Sequence, residues 1–326
     1  MKRKRRIYIS ESNNALLNAD MPGYDTFDYT ENMEAFLKDV RSRGRSDDTI
    51  KFYRQHLRRV RDLLEEQGIS TQVNRITSDI IEDNVILYQM DKLDISYRTV
   101  SNRLRALRAF FNWLCAEKII AENPMKNIVI SKTDTNIETY SRQQIIEILR
   151  QPNLETFVGF RDYTIMTLML DTGIRLRELV DLKMNDVILS DSQIVIWGKN
   201  QTFRRVPIQN KAKAVLKRYI KVRGVSDVPY LFITQDDGKL SRKAVQDRIA
   251  KYGRMAGIKN VRNSPHTFRH TFAKMAVQNG ANIFELQRIL GHKTLDMVRV
   301  YVNLFSSDIA RAHAKFSPIE NLNIHE

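Results

Sequence analysis

Apolar residues recur at helical spacing through most of this chain. Between Ser46 and Gly68, the residues Ile50, Tyr53, Leu57, Val60 and Leu64 fall at i, i+3, i+7, i+10 and i+14, one stripe along a helix. Ser46 suits the N-cap, Asp47 and Asp48 suit the positive end of the helix dipole, and Gly68 is a stop. A second stripe, Leu104, Leu107, Phe111 and Leu114, predicts a helix over Tyr97 to Glu117. Asn123-Pro124 closes this region, because a proline ring disfavours helix at the residue before it. Residues 125–140 are polar and aperiodic and read as a linker. Beyond them, Ser141 to Arg150 reads as a capped helix, Phe160 to Asp171 as an apolar helix broken at Gly173, and Ile174 to Leu182 as another. The period then shifts. Gln193 to Lys199 and Phe203 to Gln209 are β-branched or aromatic runs with a short polar link, which predicts a hairpin, and Tyr230 to Thr234 is a candidate third strand. Helical spacing returns from Ser241, with breaks at Gly257, Gly280 and Gly291. The pattern predicts a mainly α chain with one small antiparallel β-sheet. Its parts are a basic arm at 1–26, a helical domain at 27–123, a linker at 124–140 and a second domain at 141–326.

Composition narrows the function. A chain of 326 residues, 42% hydrophobic and 28% charged, fits two globular domains rather than a disordered chain. Lys plus Arg number 53 against 38 Asp plus Glu, a net charge of +15, which fits a polyanionic partner. The most apolar run, Tyr163 to Leu170, falls short of the ~18 residues a membrane span needs. The opening MKRKRR leads into no apolar h-region, so no secretory signal is expected. Cys115 is the only cysteine, which excludes an intrachain disulfide and fits a cytoplasmic location. Lys51, Arg54, Arg58 and Arg61 share a 3, 4, 3 spacing beside the first stripe, with no acid interleaved on that arc. The row reads as a face that tracks a phosphate backbone, against the plainer reading of a solvated face. Arg98, Asn102 and Arg105 fall opposite the second stripe, and these residue types reach phosphates and base edges.

Four segments carry candidate chemistry. In TGIRLRELVDL, residues 172–182, Arg175 and Glu178 share a helix face just after a glycine turn. In WGKNQTFRRVP, Lys199 sits at a hairpin tip. In HTFRH, residues 266–270, His266, Arg269 and His270 face one way. In LGHKTLDMVRVYVNL, Tyr301 follows His292 by nine residues. Taken singly, Arg175 is an arginine paired with Glu178, His266 and His270 have the spacing of a metal pair without the glutamate of a zinc-protease helix, and Tyr301 is a core tyrosine.

In this order the four segments resemble the boxes of the tyrosine site-specific recombinases, the phage-integrase and Xer-type family. TGIRLRELVDL resembles its TGxRxxEL box, the hairpin lysine its β-hairpin lysine, HTFRH its HxLRH box with Phe268 in place of leucine, and LGH followed by VY its C-terminal box. The LRALRAFFNWL and NP pattern resembles the end of its core-binding domain, so the likeness spans nearly the whole chain. The resemblance implies a two-domain, C-shaped DNA clamp made of a SAM-like core-binding domain and a catalytic domain. It implies strand breakage and rejoining through a 3′-phosphotyrosine and a Holliday junction. The roles it implies are Tyr301 as nucleophile, Arg175 and Arg269 as phosphate clamps, His292 as hydrogen-bond donor, His266 as proton acceptor, Lys199 as acid for the leaving 5′-oxygen and Glu178 as an orienting group. No metal and no cofactor are implied. The implied partner is double-stranded DNA with inverted-repeat core sites, bound by a homotetramer on two sites, with a second recombinase or accessory proteins left open. A tail helix over Ser307 to Phe316 is expected to dock on a neighbouring protomer. Two alternatives stay open: a type IB topoisomerase or telomere resolvase, and a DNA-binding regulator without catalysis.

Overall fold

The computed structural model describes residues 26–131, 137–198, 202–292 and 294–305. Residues 1–25 of the expected arm, Lys199 and the expected tail helix lie outside the described residues. The chain divides into two compact units, residues 1–135 and 136–326. No helix among the described residues is long and apolar enough to cross a membrane.

The first unit holds α1 (Tyr29–Ser42), α2 (Asp47–Glu66), α3 (Ser78–Ile80) continued by a π-wound stretch (Ile81–Lys92), and α4 (Tyr97–Ala116). The Asp28 carboxylate caps α1 by accepting from the Glu31 N–H at 2.7 Å. Ser46 occupies the N-cap of α2, but its hydroxyl bonds the Thr49 side chain at 3.0 Å instead of a backbone N–H. The apolar stripes meet as expected. Ile50, Leu57, Val60 and Leu64 of α2 share one core with Phe36 and Leu37 of α1 and with Leu104, Leu107 and Phe111 of α4. Each such side chain contributes roughly 1.5–3 kcal/mol on burial. Residues 124–131, read from sequence as part of the linker, pack with this unit. Met125 and Ile128 are buried in its core, the Arg108 guanidinium donates to the Ile128 carbonyl, and the Ser131 N–H donates to the Tyr97 hydroxyl at 3.0 Å. Their few apolar side chains decide this, and a search for helical period does not detect them.

The second unit contains α5 (Arg142–Leu149), α6 (Phe157–Thr172), α7 (Leu176–Asp181), strands β1 (Val187–Ile188), β2 (Gln193–Trp197) and β3 (Phe203–Pro207), and then α8 (Asn210–Arg223), α9 (Arg242–Met255), α10 (Pro265–Gln278), α11 (Ile283–Leu290) and α12 (Asp296–Phe305). α6 is apolar nearly all round and therefore central. Phe160, Ile165, Met166, Leu168 and Met169 are buried in it, with α8 and α10 packed against it. The strands form one antiparallel sheet in the order β1-β2-β3, with Ile194 opposite Val206 and Trp197 opposite Phe203. The third strand is thus Val187–Ile188, not Tyr230 to Thr234. That later segment makes only isolated bridges, Lys183 with Tyr230 and Ile233 with Lys239, while Leu231, Phe232 and Ile233 are all buried. A run buried on both sides looks like a strand by composition, whereas a two-residue strand has no period to detect.

Gly173 ends α6 in the left-handed region at φ +61°. A Cβ there would lie 2.5 Å from Phe272 Cδ1 and 2.7 Å from Leu290 Cδ2. Gly173→Ala combines left-handed strain with overpacking, so we expect it to lower the stability of the second unit by at least about 2 kcal/mol. A thermal or urea melt of the variant checks this, and an unchanged midpoint contradicts it.

Candidate active site

The last carbonyls of a helix have no partner within it and lie at the negative end of its dipole. At the end of α11 they meet three arginines. The Ile289 carbonyl accepts from Arg204 Nε at 3.0 Å, the Leu290 carbonyl from Arg269 Nη2 at 2.7 Å, and the Gly291 carbonyl from Arg175 Nη2 at 3.0 Å. Gly291 turns the chain here at φ +62°, and a Cβ on it would lie 2.8 Å from Arg204 Nη1. Arg269 also donates through Nη1 to the Gly173 carbonyl at the end of α6, at 2.5 Å.

Glu178 ties this group together. It accepts from the Arg175 backbone N–H at 3.0 Å and from Arg175 Nη1 at 3.1 Å. Arg204 holds the same carboxylate by two parallel bonds, Nη1 to Oε1 at 2.9 Å and Nη2 to Oε2 at 2.8 Å, the bidentate fork in which an arginine–carboxylate pair is strongest. Burial alone would raise the Glu178 pKa. The hydrogen bonds and charge of Arg204, then those of Arg175, outweigh it and hold the carboxyl below its ordinary value. Burial, then the charge of Arg175, push the Arg269 guanidinium down to about 9, which leaves it charged at neutral pH. A guanidinium has five N–H donors. These contacts use two of them on Arg175 and three on Arg269.

Three imidazoles and a phenol complete the cluster. α10 starts at Pro265 behind a Ser264 cap. His266 lies exposed on its first turn, Arg269 is buried, and His270 is half-buried one turn on. His292 follows Gly291 and is buried, with Nε2 2.7 Å from Arg269 Nη2. A guanidinium only donates, so Nε2 accepts and the ring proton sits on Nδ1. That Nδ1 is buried with no hydrogen-bond partner among the described residues. α12 packs through Val298 on Ala273 of α10 and on Leu286 and Leu290 of α11. This seats Tyr301, 4% exposed, with its ring nearly parallel to that of His292 at a centroid distance of 6.2 Å. The Tyr301 hydroxyl lies 2.8 Å from His270 Nδ1.

The environment keeps the imidazoles neutral. Burial, then His266 and Arg269, push His270 down to about 4. Burial, then Arg269, Arg175 and Arg204, do the same to His292, to about 4. Partial burial and the charges of Arg269, Arg262 and Arg175 lower His266. Burial raises the Tyr301 phenol while Arg269 and Arg175 pull it back. No cluster of three or more His, Cys, Asp or Glu able to hold a metal exists among the described residues. Charged donors beside a buried phenol and a neutral base suit attack on an anionic ester.

Of the residues expected from sequence, Arg175, Glu178, His266, Arg269, His292 and Tyr301 converge here. Arg204 and His270 are additions. Arg204 had a signal in strand parity, since it shares a face with the buried Val206 and a charge on an inner face needs a partner. For Lys199, only the flanking strands are described, with the Trp197 and Phe203 rings tilted against each other at a centroid distance of 5.5 Å and Trp197 Nε1 donating to Asp186 at 2.8 Å. In the first unit, Lys51, Arg54 and Arg58 line one depression. The row is not free of acids, because Glu34 of α1 reaches Arg54 at 2.9 Å and Arg58 at 3.5 Å. Arg61 is bound to Asp62 at 2.7 Å and to Thr30 at 3.1 Å. These acids come from another helix and from beside the arc, where helical spacing along the row does not count them. Arg98 and Arg105 are exposed, and Arg105 donates to Asn102 Oδ1 at 2.9 Å.

Comparison with known proteins gives a consistent result. Residues 138–307 match the Phage integrase family and residues 33–118 match its N-terminal SAM-like domain. Tyrosine recombinase XerD of Shewanella oneidensis is 30% identical over 295 residues, covering 88% of this chain and 96% of that protein. Tyrosine recombinase XerC of Oceanobacillus iheyensis is 27% identical over 283 residues, 84% of this chain and 92% of the relative. Among solved structures, XerH site-specific recombinase bound to a palindromic difH substrate superposes with a TM-score of 0.70 at 20% identity, covering 95% of this chain and 88% of that one. A lambda integrase dimer bound to a COC′ core site gives 0.68 at 18% identity, covering 82% and 96%. With both units matched and a Xer relative aligned along nearly its whole length, the chain belongs to the phage integrase family of tyrosine recombinases.

Proposed function

We propose that this protein is a site-specific DNA recombinase that cuts and rejoins strands through a 3′-phosphotyrosine on Tyr301. One observation carries the reading. The Tyr301 hydroxyl lies in the same cluster as Arg175 and Arg269, both of which keep guanidinium donors beyond their structural contacts. In-line displacement at a phosphodiester builds charge on the non-bridging oxygens. Arg175 and Arg269 supply fixed cationic donors for it, each worth ~2.7–4 kcal/mol in comparable oxyanion sites. Their bonds to helix-end carbonyls orient them in advance, and Glu178 orients Arg175. The donor role of His292 at the phosphate requires its Nε2 to be released from Arg269, because Nδ1 is buried. Lys199 gives a proton to the departing 5′-oxygen. The phosphotyrosine ester keeps the energy of the broken bond, so rejoining needs no nucleotide. Whole-length similarity to Xer recombinases favours this reading over a topoisomerase, a telomere resolvase or a regulator. Duplex DNA with inverted-repeat core sites is the partner, and a homotetramer on two sites is the working assembly. In the first unit, Lys51, Arg54, Arg58 and Arg61 with Arg98, Asn102 and Arg105 form the backbone and base-edge contacts.

A nicked suicide substrate tests the chemistry. The native protein should form a covalent adduct, while Tyr301→Phe should bind with unchanged affinity and form none. An undiminished adduct from Tyr301→Phe ends the assignment. Lys199→Ala should cleave normal DNA very slowly yet cleave a 5′-bridging phosphorothiolate at close to the native rate, because a thiol of pKa ~8.5 leaves without a proton. Arg175→Ala should gain no such rescue. If sulfur fails to restore Lys199→Ala, the proton comes from elsewhere.

The binding face is tested by salt. Log affinity should fall linearly with log salt, at roughly −0.9 per phosphate neutralised. Lys51→Ala and Arg58→Ala should each make the slope shallower by about one unit. Arg61→Ala should change it less, since Asp62 and Thr30 already hold that guanidinium. Unchanged slopes for Lys51 and Arg58 mean that the row is merely solvated.

A further inference from the structure

The resemblance gives the proton-accepting role to His266, but the group that touches the nucleophile is His270. Its Nδ1 lies 2.8 Å from the Tyr301 hydroxyl. His266 is one turn earlier, with its ring centroid 6.4 Å from that of His270, and no described hydrogen bond joins it to the phenol. We propose that His270 is a catalytic residue, the base that takes the Tyr301 proton as the phenol attacks phosphorus. This rests on Tyr301 being the nucleophile.

The geometry supplies what a base needs. An imidazole nitrogen is a far stronger acceptor than a phenol oxygen, so the bond runs from the Tyr301 O–H to Nδ1 and the ring keeps its own proton on Nε2. Two elements fix the distance. His270 rides on α10 and Tyr301 on α12, and the apolar contacts of Ala273 with Val298 and Leu290 hold the two together. The charged and titratable groups around His270 are His266 and Arg269 on its own helix, Tyr301 on α12 and His292 after α11. Lys274, one turn further along α10, donates to Thr139 at 3.2 Å. With burial, then His266 and Arg269, opposing protonation, His270 stays neutral down to about pH 4 and is in its proton-accepting form throughout the neutral range.

The step balances. The Oη–H bond breaks and its proton passes to Nδ1. The Oη electron pair forms the bond to phosphorus. The bond from phosphorus to the 5′-oxygen breaks, and that oxygen takes a proton from Lys199 or water. In rejoining, the 5′-hydroxyl gives its proton back to the group that supplied it, the neutral Lys199 amine or hydroxide; its oxygen bonds to phosphorus as the P–Oη bond breaks, and the His270 imidazolium returns its proton to the departing Tyr301 oxygen.

Single-turnover cleavage of a suicide substrate between pH 6 and 9 tests this, with half-site binding and melting measured on each variant. The native rate should be nearly flat on the acid side. His270→Ala should lose ~10²–10⁴ in rate with little change in DNA affinity. Its residual rate should climb about tenfold per pH unit, because the phenol must ionise to solvent first. Imidazole added in solution should restore part of the His270→Ala rate and none of the Tyr301→Phe rate. His270→Gln separates a base from a positioning group, since its amide accepts a hydrogen bond yet takes no proton. It should show the same slope as alanine. A near-native, flat profile for His270→Gln overturns the proposal, as does the slope appearing in His266→Gln instead. If the native protein forms no adduct at all, the recombinase reading fails and this one falls with it. A native adduct with His270→Ala at full rate overturns this proposal alone.

Discussion

The site depends on how three guanidinium groups are held in one half-buried volume. Like charges this close repel, and the protein opposes the repulsion with fixed negative ends rather than with water. The carbonyls of Ile289, Leu290 and Gly291 each take a different arginine, the Gly173 carbonyl takes Arg269 a second time, and the Glu178 carboxylate takes Arg175 and Arg204 together. Two helix ends therefore do what a counter-ion does elsewhere. Both ends are terminated by a glycine with positive φ, and neither position has space for a Cβ. The result is a cationic cleft whose geometry precedes any ligand, the arrangement that stabilises developing charge with least reorganisation.

Burial sets the state of the histidines, and neighbouring charges reinforce it. With both rings largely out of water, and with Arg269 against His292 and His266 and Arg269 near His270, a proton on either ring is unfavourable, and both stay neutral. Neutral imidazoles divide the labour. One accepts from an arginine and carries its proton on a nitrogen that has no other described partner. The other lies against the phenol. The phenol itself is buried, which disfavours the phenolate, and Arg269 and Arg175 offset this only in part, so its pKa stays raised. On the proposed reading, a nucleophile kept protonated until an anionic substrate and a base act together is protected from idle reaction.

Much of this was legible in the sequence. The stripe Ile50, Leu57, Val60 and Leu64 became the core face of α2 because a 20-residue helix imposes its period on everything it buries. The four spaced boxes pointed to Arg175, Glu178, His266, Arg269, His292 and Tyr301, because each box is a local turn with its polar residues in fixed places. Other features depend on tertiary placement. Arg204 reaches Glu178 across 26 residues only because β3 packs beside α11. His270 meets Tyr301 across 31 residues only when α12 is laid on α10. Helical spacing marked His270 as sharing a face with His266 but could not show what that face would meet. The hairpin of the small sheet is legible in the sequence, but its third strand is not, for a related reason: Leu231 to Ile233 are buried without forming a strand of it, while the two-residue strand Val187–Ile188 completes the sheet.

The central claim is that this cleft directs one phenol onto a DNA phosphate. The most direct measurement is to trap the protein on a nicked duplex, digest protein and DNA, and sequence the nucleotide-bearing peptide by mass spectrometry. The account predicts a single modified peptide, with a 3′-phosphate joined to Tyr301. A phosphate on any other side chain, or a trapped complex that dissociates in denaturant without a covalent bond, contradicts it.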